Sequence, residues 1–223
     1  MTRIRTELGR DTRWNRLLYG FFRQLVSNSL RIWTRGTVEG RENLPDGAFV
    51  LAPVHRSYLD TPISSWVRLE RLRYLGKDSM WKYGWLGRVF SAMGAIPITR
   101  GSIDREAMQR CITVLRSGQS LVVFPEGERK QGPTVHPLLE GAAFVAAKAG
   151  VPIVPVGIGG SDAAMPKGAR FIRPARVHVV VGEPFHVGTD ERGRARREHL
   201  TIATRRLHAD LQRLYDHARS VVA

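Results

Sequence analysis

The sequence predicts an α/β fold, a mostly parallel central sheet flanked by helices, with an N-terminal amphipathic helical segment. Three observations carry that expectation. From about residue 38 onward short apolar runs of strand length recur at Ala48–Val54, Ala95–Ile98, Ser120–Phe124, Val151–Ile158 and Val177–Val181. Between most of them lie helical stretches, and strands alternating with helices of about ten to fifteen residues build a largely parallel sheet. Ahead of them, Trp14, Leu17, Leu18, Phe21, Phe22, Leu25 and Val26 recur with the period of a helix. A length of 223 residues, 43% of them hydrophobic, is enough for one domain with a sizeable core. The expected organisation is a membrane-associating helical segment over 1–37 and an α/β domain over 38–223.

Taken in order, the N-terminal segment carries one bulky apolar stripe with Arg13, Arg16 and Arg23 off it, continued by Leu30, Ile32 and Trp33. A basic amphipathic helix of this kind lies on an anionic membrane surface, and packing of the same stripe on the domain is the alternative. Helices are then expected at Pro62–Arg71, Trp81–Met93, Ile103–Ser117 and Pro137–Ala149, with a polar C-terminal helix within Glu191–Arg219. Within the third, Ile103, Ala107, Cys111 and Leu115 recur every four residues, which places Cys111 on a face packed against the sheet.

Composition bounds the function. A single cysteine excludes an intrachain disulfide and a multi-cysteine zinc site. Arg23 interrupts the best apolar run, Leu17–Phe22, well short of the roughly 18 residues a bilayer span needs. The first sixteen residues, with five arginines, Glu7 and Asp11, do not read as a signal peptide, so a position inside the cell is expected. The net charge of +15 calls for an anionic partner, and nine arginines fall within the first 41 residues. A nucleic acid is disfavoured, since the run Arg192–Arg197 comes with no helix-turn-helix, RNA-binding aromatic pair or zinc spacing.

The chemistry is read at strand ends, where open α/β sheets bind their ligands. Ala48–Val54 is followed by His55 and, five residues on, Asp60. On a regular helix that spacing is about 140° around the axis, so the pair meets only if His55 lies on the turn and Asp60 at the helix start. Asp60 as N-cap, with Pro62 in the first turn, then accepts one ring N–H of His55. The other ring nitrogen is left to take a proton from an alcohol. Ser57 between them raises a Ser-His-Asp hydrolase, disfavoured because no G-x-S-x-G elbow is present and a serine two residues away aims poorly at the ring.

Arg100 after Ala95–Ile98, and Glu126, Gly127 and Arg129 after Ser120–Phe124, are suited to a phosphate and a polyol. Gly127–Gly132 lacks the Lys-Ser/Thr of a nucleotide-phosphate loop, and Asp162 stands where the dinucleotide fingerprint after Gly157 needs glycine. The spacing of the seven histidines and twenty acids shows no metal-ligand cluster.

Four motifs in order, His55…Asp60, Gly94-Ala95-Ile96-Pro97-Ile98-Thr99-Arg100, Phe124-Pro125-Glu126-Gly127-Glu128-Arg129 and Val151-Pro152-Ile153-Val154-Pro155-Val156, resemble those of the glycerolipid acyltransferase family over roughly residues 38–185. The resemblance, to 1-acylglycerol-3-phosphate and glycerol-3-phosphate acyltransferases, implies direct acyl transfer from acyl-CoA or acyl carrier protein to a hydroxyl of the acceptor. It implies His55 as general base oriented by Asp60, with no cofactor beyond the acyl donor. Backbone amides near Glu126–Gly127 would face the oxyanion. Arg100, Arg129 and Lys77 would hold the acceptor phosphate, Glu126 a glycerol hydroxyl, and Pro152 a purely architectural place. A tunnel for the acyl chain is implied, as is a peripheral position at the cytoplasmic face of the cell membrane. The sequence departs from many lysophosphatidate enzymes at Pro97, Thr99 and Tyr58-Leu59. His55-Arg56-Ser57-Tyr58 resembles the first motif of glycerol-phosphate and dihydroxyacetone-phosphate enzymes. The expected acceptor is the lysophospholipid 1-acyl-sn-glycerol 3-phosphate, giving phosphatidic acid in phospholipid biosynthesis, with glycerol 3-phosphate, another lysolipid or a glycolipid as alternatives.

Overall fold

Seven strands make one sheet among the described residues of a computed structural model that covers 13–82, 84–92, 94–98, 104–166 and 168–223. They are β1 (Thr37–Glu39), β2 (Val50–Pro53), β3 (Arg73–Lys77), β4 (Ala95–Ile98), β5 (Leu121–Val122), β6 (Ile153–Gly159) and β7 (His178–Val181). The spatial order is β1-β7-β6-β2-β5-β3-β4, parallel throughout except between β6 and β7. Every residue of β2, β5, β6 and β7 is buried. A parallel sheet covered on both faces requires continuous apolar strands, the signal the sequence carries. Two strands went unread for want of it. β1 is a three-residue edge strand, and β3 carries Arg73, whose buried Nε donates to Gln119 Oε1 at 2.8 Å.

The helices are α1 (Arg13–Phe22), α2 (Asn28–Trp33), α3 (Asp60–Ser64), α4 (Gly84–Ala92), α5 (Arg105–Arg116), α6 (Gly141–Ala149), α7 (Ser161–Ala164) and α8 (Arg197–Val222). α5 starts where the Asp104 carboxylate accepts from the Ala107 amide at 2.9 Å, an ordinary N-cap. The helix expected over Pro62–Arg71 is corrected to α3, which ends at Ser64. There the Ser64 and Ser65 hydroxyls donate to the Asp60 and Pro62 carbonyls, serine side chains taking bonds that a longer helix would supply. Trp66 then turns away to donate from its indole to the Ser27 carbonyl at 2.9 Å.

α8 lies on β6 and β7 with Ala203, Leu207, Leu211, Leu214 and Ala218 against the sheet. Gly157 and Gly159 make this approach possible, because a Cβ on either would fall on the backbone carbonyl of Leu214 or Ala218. The glycine run that fails as a dinucleotide fingerprint is thus a seat for the helix. Gly157→Ala is expected to push α8 off β6 and cost about 1–3 kcal/mol, the usual range for overpacking. Thermal unfolding followed by circular dichroism checks this.

α1 and α2 are joined by a π-type turn over Arg23–Ser27. Among the side chains they turn to the domain are Tyr19, Arg23, Ser27 and Leu30. The Tyr19 hydroxyl accepts from the Leu72 amide at 3.4 Å, and the Ser27 and Ser65 hydroxyls are 2.6 Å apart. Arg23 falls off the stripe, as expected, and is half-buried, donating to the Ser65 carbonyl through Nε and Nη2, both at 3.3 Å. Trp14, Leu17, Phe21 and Leu25, one stripe at helical spacing, are all more than half exposed. Among the described residues no helix is long and apolar enough to cross a membrane.

Candidate active site

The parallel run of β2, β5, β3 and β4 brings their carboxyl ends to one edge, so residues far apart in sequence emerge side by side. His55 leaves β2 on a turn and Asp60 opens α3, which stacks the two as the spacing requires. His55 Nδ1 lies 3.0 Å from Asp60 Oδ2. The same oxygen accepts the backbone N–H groups of Arg56 at 2.6 Å and Ser57 at 2.7 Å. Asp60 is therefore not an N-cap, since its carboxylate points back into the turn and Leu59 occupies the cap position. With no exposed surface, Asp60 depends on these three donors for its charge.

The carboxylate holds Nδ1 as the protonated nitrogen and leaves Nε2 as the basic one. Nε2 makes no hydrogen bond among the described residues. The ring itself is stacked on Phe124, centroids 4.0 Å apart at 20°. Ser57 donates its hydroxyl to the Met165 carbonyl at 2.9 Å, which takes it away from His55 and removes the serine-hydrolase arrangement.

Glu126 is the second anchor. Its Oε2 accepts the His55 amide at 3.1 Å and Arg56 Nη1 at 2.6 Å, and its Oε1 accepts the His136 amide at 3.0 Å. Arg56 also donates to the carbonyls of His55 and Thr134, and its guanidinium lies 4.9 Å from the centre of the Tyr215 ring. Both side chains of the pair are fully buried. The glycerol-hydroxyl role expected of Glu126 is thus met by a different geometry: both oxygens face inward and lock the turn after β2 to the turn after β5. Arg56, read from sequence only as part of a motif, turns out to be the partner that neutralises it. No local signal marks it, because 70 residues separate the two.

Gly127 has φ +75°, and a Cβ there would approach Leu139 Cδ1 to 2.8 Å, so the turn needs glycine. Its amide donates to the Phe124 carbonyl at 3.0 Å, which removes it from the expected oxyanion donors. The Glu126 amide donates to no group among the described residues. Arg129 lies over Tyr58, its Cζ 3.3 Å from the ring centre, and its Nη1 is buried without a hydrogen bond. Such a guanidinium is held in place by the ring and keeps free donors for an anion. Lys77 ends β3 exposed, in register with Ile98 of β4. Arg100 lies outside the described residues, as does Thr99.

Beside this edge opens a cleft of about 840 Å³, lined largely by apolar groups including Leu75, Ile98, Met108, Phe124, Leu139 and Phe144. The ring that stacks on His55 is therefore also a wall of the cleft. Cys111 does not take part, since it is buried in the core and desolvation pushes its thiol up to about 12. The thiol is accordingly expected to stay unmodified through prolonged treatment of the native protein with iodoacetamide, as measured by the mass of the intact chain.

Residues 35–159, from β1 through β6, match the family model described as Acyltransferase. The chain belongs to the Acyltransferase family. It is 30% identical over 183 residues to 1-acyl-sn-glycerol-3-phosphate acyltransferase BAT2, chloroplastic, of Brassica napus, covering 78% of this chain and 52% of the relative. It is 35% identical over 153 residues to a 1-acyl-sn-glycerol-3-phosphate acyltransferase of Chlamydomonas reinhardtii, covering 65% of this chain and 45% of that one. The chain thus spans about half the length of these curated relatives. The fold is shared with the crystal structure of the 1-acyl-sn-glycerophosphate acyltransferase PlsC from Thermotoga maritima, with TM-score 0.67, 23% identity, 90% of this chain and 86% of that one covered. All four motifs named in the sequence fall within the matched region, and the family membership agrees with the resemblance drawn from them.

Proposed function

We propose that the protein transfers a fatty acyl group from acyl-CoA or acyl carrier protein to a hydroxyl of 1-acyl-sn-glycerol 3-phosphate, giving phosphatidic acid. The observation that carries the reading is the buried His55–Asp60 pair, whose unengaged Nε2 sits one aromatic ring from an apolar cleft. The names of the acyltransferase relatives support the acceptor.

The acceptor hydroxyl gives its proton to His55 Nε2 as its oxygen attacks the thioester carbonyl. Asp60 steadies the imidazolium that results, and the Glu126 amide is the donor available to the oxyanion. When the tetrahedral adduct collapses, the C–S bond breaks and the new ester C–O bond remains. The departing thiolate recovers the proton from His55. The acyl chain occupies the cleft, and the acceptor phosphate pairs with Arg129, joined by Lys77 and Arg100. Asp60 and His55 supply about 10²–10⁴ of the rate as a positioned base, and each oxyanion donor a further factor on the order of 10²–10³.

The enzyme works at the lipid surface, peripherally and at the cytoplasmic face. Support comes from the exposed stripe Trp14, Leu17, Phe21 and Leu25, which packing on the domain would have buried. Each arginine near an anionic leaflet adds about 1 kcal/mol to such an anchor.

The test offers purified protein palmitoyl-CoA or oleoyl-CoA, or the matching acyl carrier protein, with glycerol 3-phosphate and 1-acylglycerol 3-phosphate side by side. Phosphatidate is the expected product. Lysophosphatidate formed from glycerol 3-phosphate would move the enzyme to the first acylation, and neither product with either donor would overturn the reading. Arg129→Ala is expected to raise KM for the phosphorylated acceptor about 10-fold or more, the worth of a charged hydrogen bond, while kcat changes less. Initial rates against acceptor concentration decide it.

A further inference from the structure

At the far edge of the sheet three side chains that acyl transfer does not use come together. Glu39 ends β1, His178 opens the neighbouring β7, and His217 reaches across from α8. His178 Nε2 lies 3.2 Å from Glu39 Oε2, and His217 Nε2 lies 3.1 Å from the same oxygen. The three donor atoms all fall within 4.8 Å of one another. In a tetrahedral zinc shell with bonds of about 2.0–2.1 Å, neighbouring donors are about 3.3 Å apart, so small rotations of exposed side chains close the set on an ion.

Two further features suit a metal. His178 Nδ1 is 2.7 Å from Thr37 Oγ1, an outer partner that fixes the ring and, by accepting its N–H, leaves the Nε2 lone pair for a cation. The burial is graded: the His178 side chain is 8% exposed, against 53% for Glu39 and 48% for His217. One ligand is thus rigid, two can adjust, and solvent has a way in and a fourth position to fill. The two imidazoles meet edge-on, ring centres 6.2 Å apart at 80°, which lets both aim Nε2 at one point.

We propose that Glu39, His178 and His217 bind Zn²⁺ or a like divalent transition metal, with water as fourth ligand, as a structural site separate from the acyl-transfer centre. Two imidazoles and one carboxylate are the donor set such ions prefer over Mg²⁺ or Ca²⁺. The bound ion ties the edge strand β1 and the last turns of α8 to β7, joining segments that lie 139 and 178 residues apart in sequence. β1 is three residues long and pairs with β7 alone, so a second tether adds to a short edge strand.

The test uses the full chain without a histidine tag, stripped with chelator and dialysed. Calorimetric titration with Zn²⁺ is expected to show one ion per chain. Unfolding with Zn²⁺ at about 100 times Kd is expected about 5–10 °C higher than without. Co²⁺ as probe should give the visible absorption of a four- or five-coordinate ion. His217→Ala and Glu39→Gln, both at exposed positions that keep the fold, are expected to weaken binding about 10-fold or more and to erase the thermal shift. Acyl transfer should be the same with chelator as with Zn²⁺. Absence of stoichiometric uptake, or uptake that both variants leave intact, overturns the site and leaves the cluster as an ion-pair network.

Discussion

His55→Ala is expected to lower kcat for acyl transfer by about 10²–10⁴ with the fold retained. The ring makes one side-chain hydrogen bond, to Asp60, and one stack, on Phe124, so its loss removes the base without unlocking the turn. What holds the turn is the backbone: the His55 amide on Glu126 and the Arg56 and Ser57 amides on Asp60 all survive the substitution. KM for the acceptor should change little, because the proposed phosphate site at Arg129 does not involve the ring. Asp60→Asn differs in kind. A carboxamide can keep one oxygen on the three donors, but it is uncharged and puts an NH₂ group at the buried, unpartnered place of Oδ1, so that variant is expected to lose stability as well as rate. Steady-state rates with thermal unfolding on the same preparations separate the two. Full activity in His55→Ala would refute the base assignment.

Arg56→Leu is expected to cost about 3–5 kcal/mol, about 6–20 °C in Tm for a chain of this length, with activity falling alongside. The cause is Glu126, left ionised and buried with two backbone amides as its remaining partners. A second change, Glu126→Gln in the Arg56→Leu background, is expected to recover part of the loss. It removes the uncompensated charge while a side-chain oxygen stays to accept from an amide. The double-mutant cycle isolates the pair, and additive costs would show that the two act independently. The same result bears on the acceptor. Arg56, part of the stretch His55-Arg56-Ser57-Tyr58 that resembles the glycerol-phosphate enzymes, is fully buried on Glu126.

Much of the molecule was legible before any coordinates. The central strands announce themselves as unbroken apolar runs because parallel strands are buried on both faces, and β4 falls on the stretch expected, Ala95–Ile98. The His55–Asp60 contact follows from a five-residue spacing across a strand-to-helix turn, a local constraint that one segment of chain contains in full. Edge strand β1 and the polar strand β3 were hidden because neither buries enough apolar surface to leave a pattern.

Sequence alone determined the α/β class, the family and the meeting of His55 with Asp60, since each is written in short-range periodicity or motif order. Tertiary structure decided what long-range juxtaposition decides. It turned Glu126 inward onto Arg56, swung Arg23 onto the Ser65 carbonyl while leaving the aromatic stripe exposed, and gathered Glu39, His178 and His217 at one sheet edge. The physical reason is the same in each case. A charged side chain's role depends on which distant partner reaches it when water is removed, and that partner is chosen by strand order and helix packing rather than by neighbours in the chain.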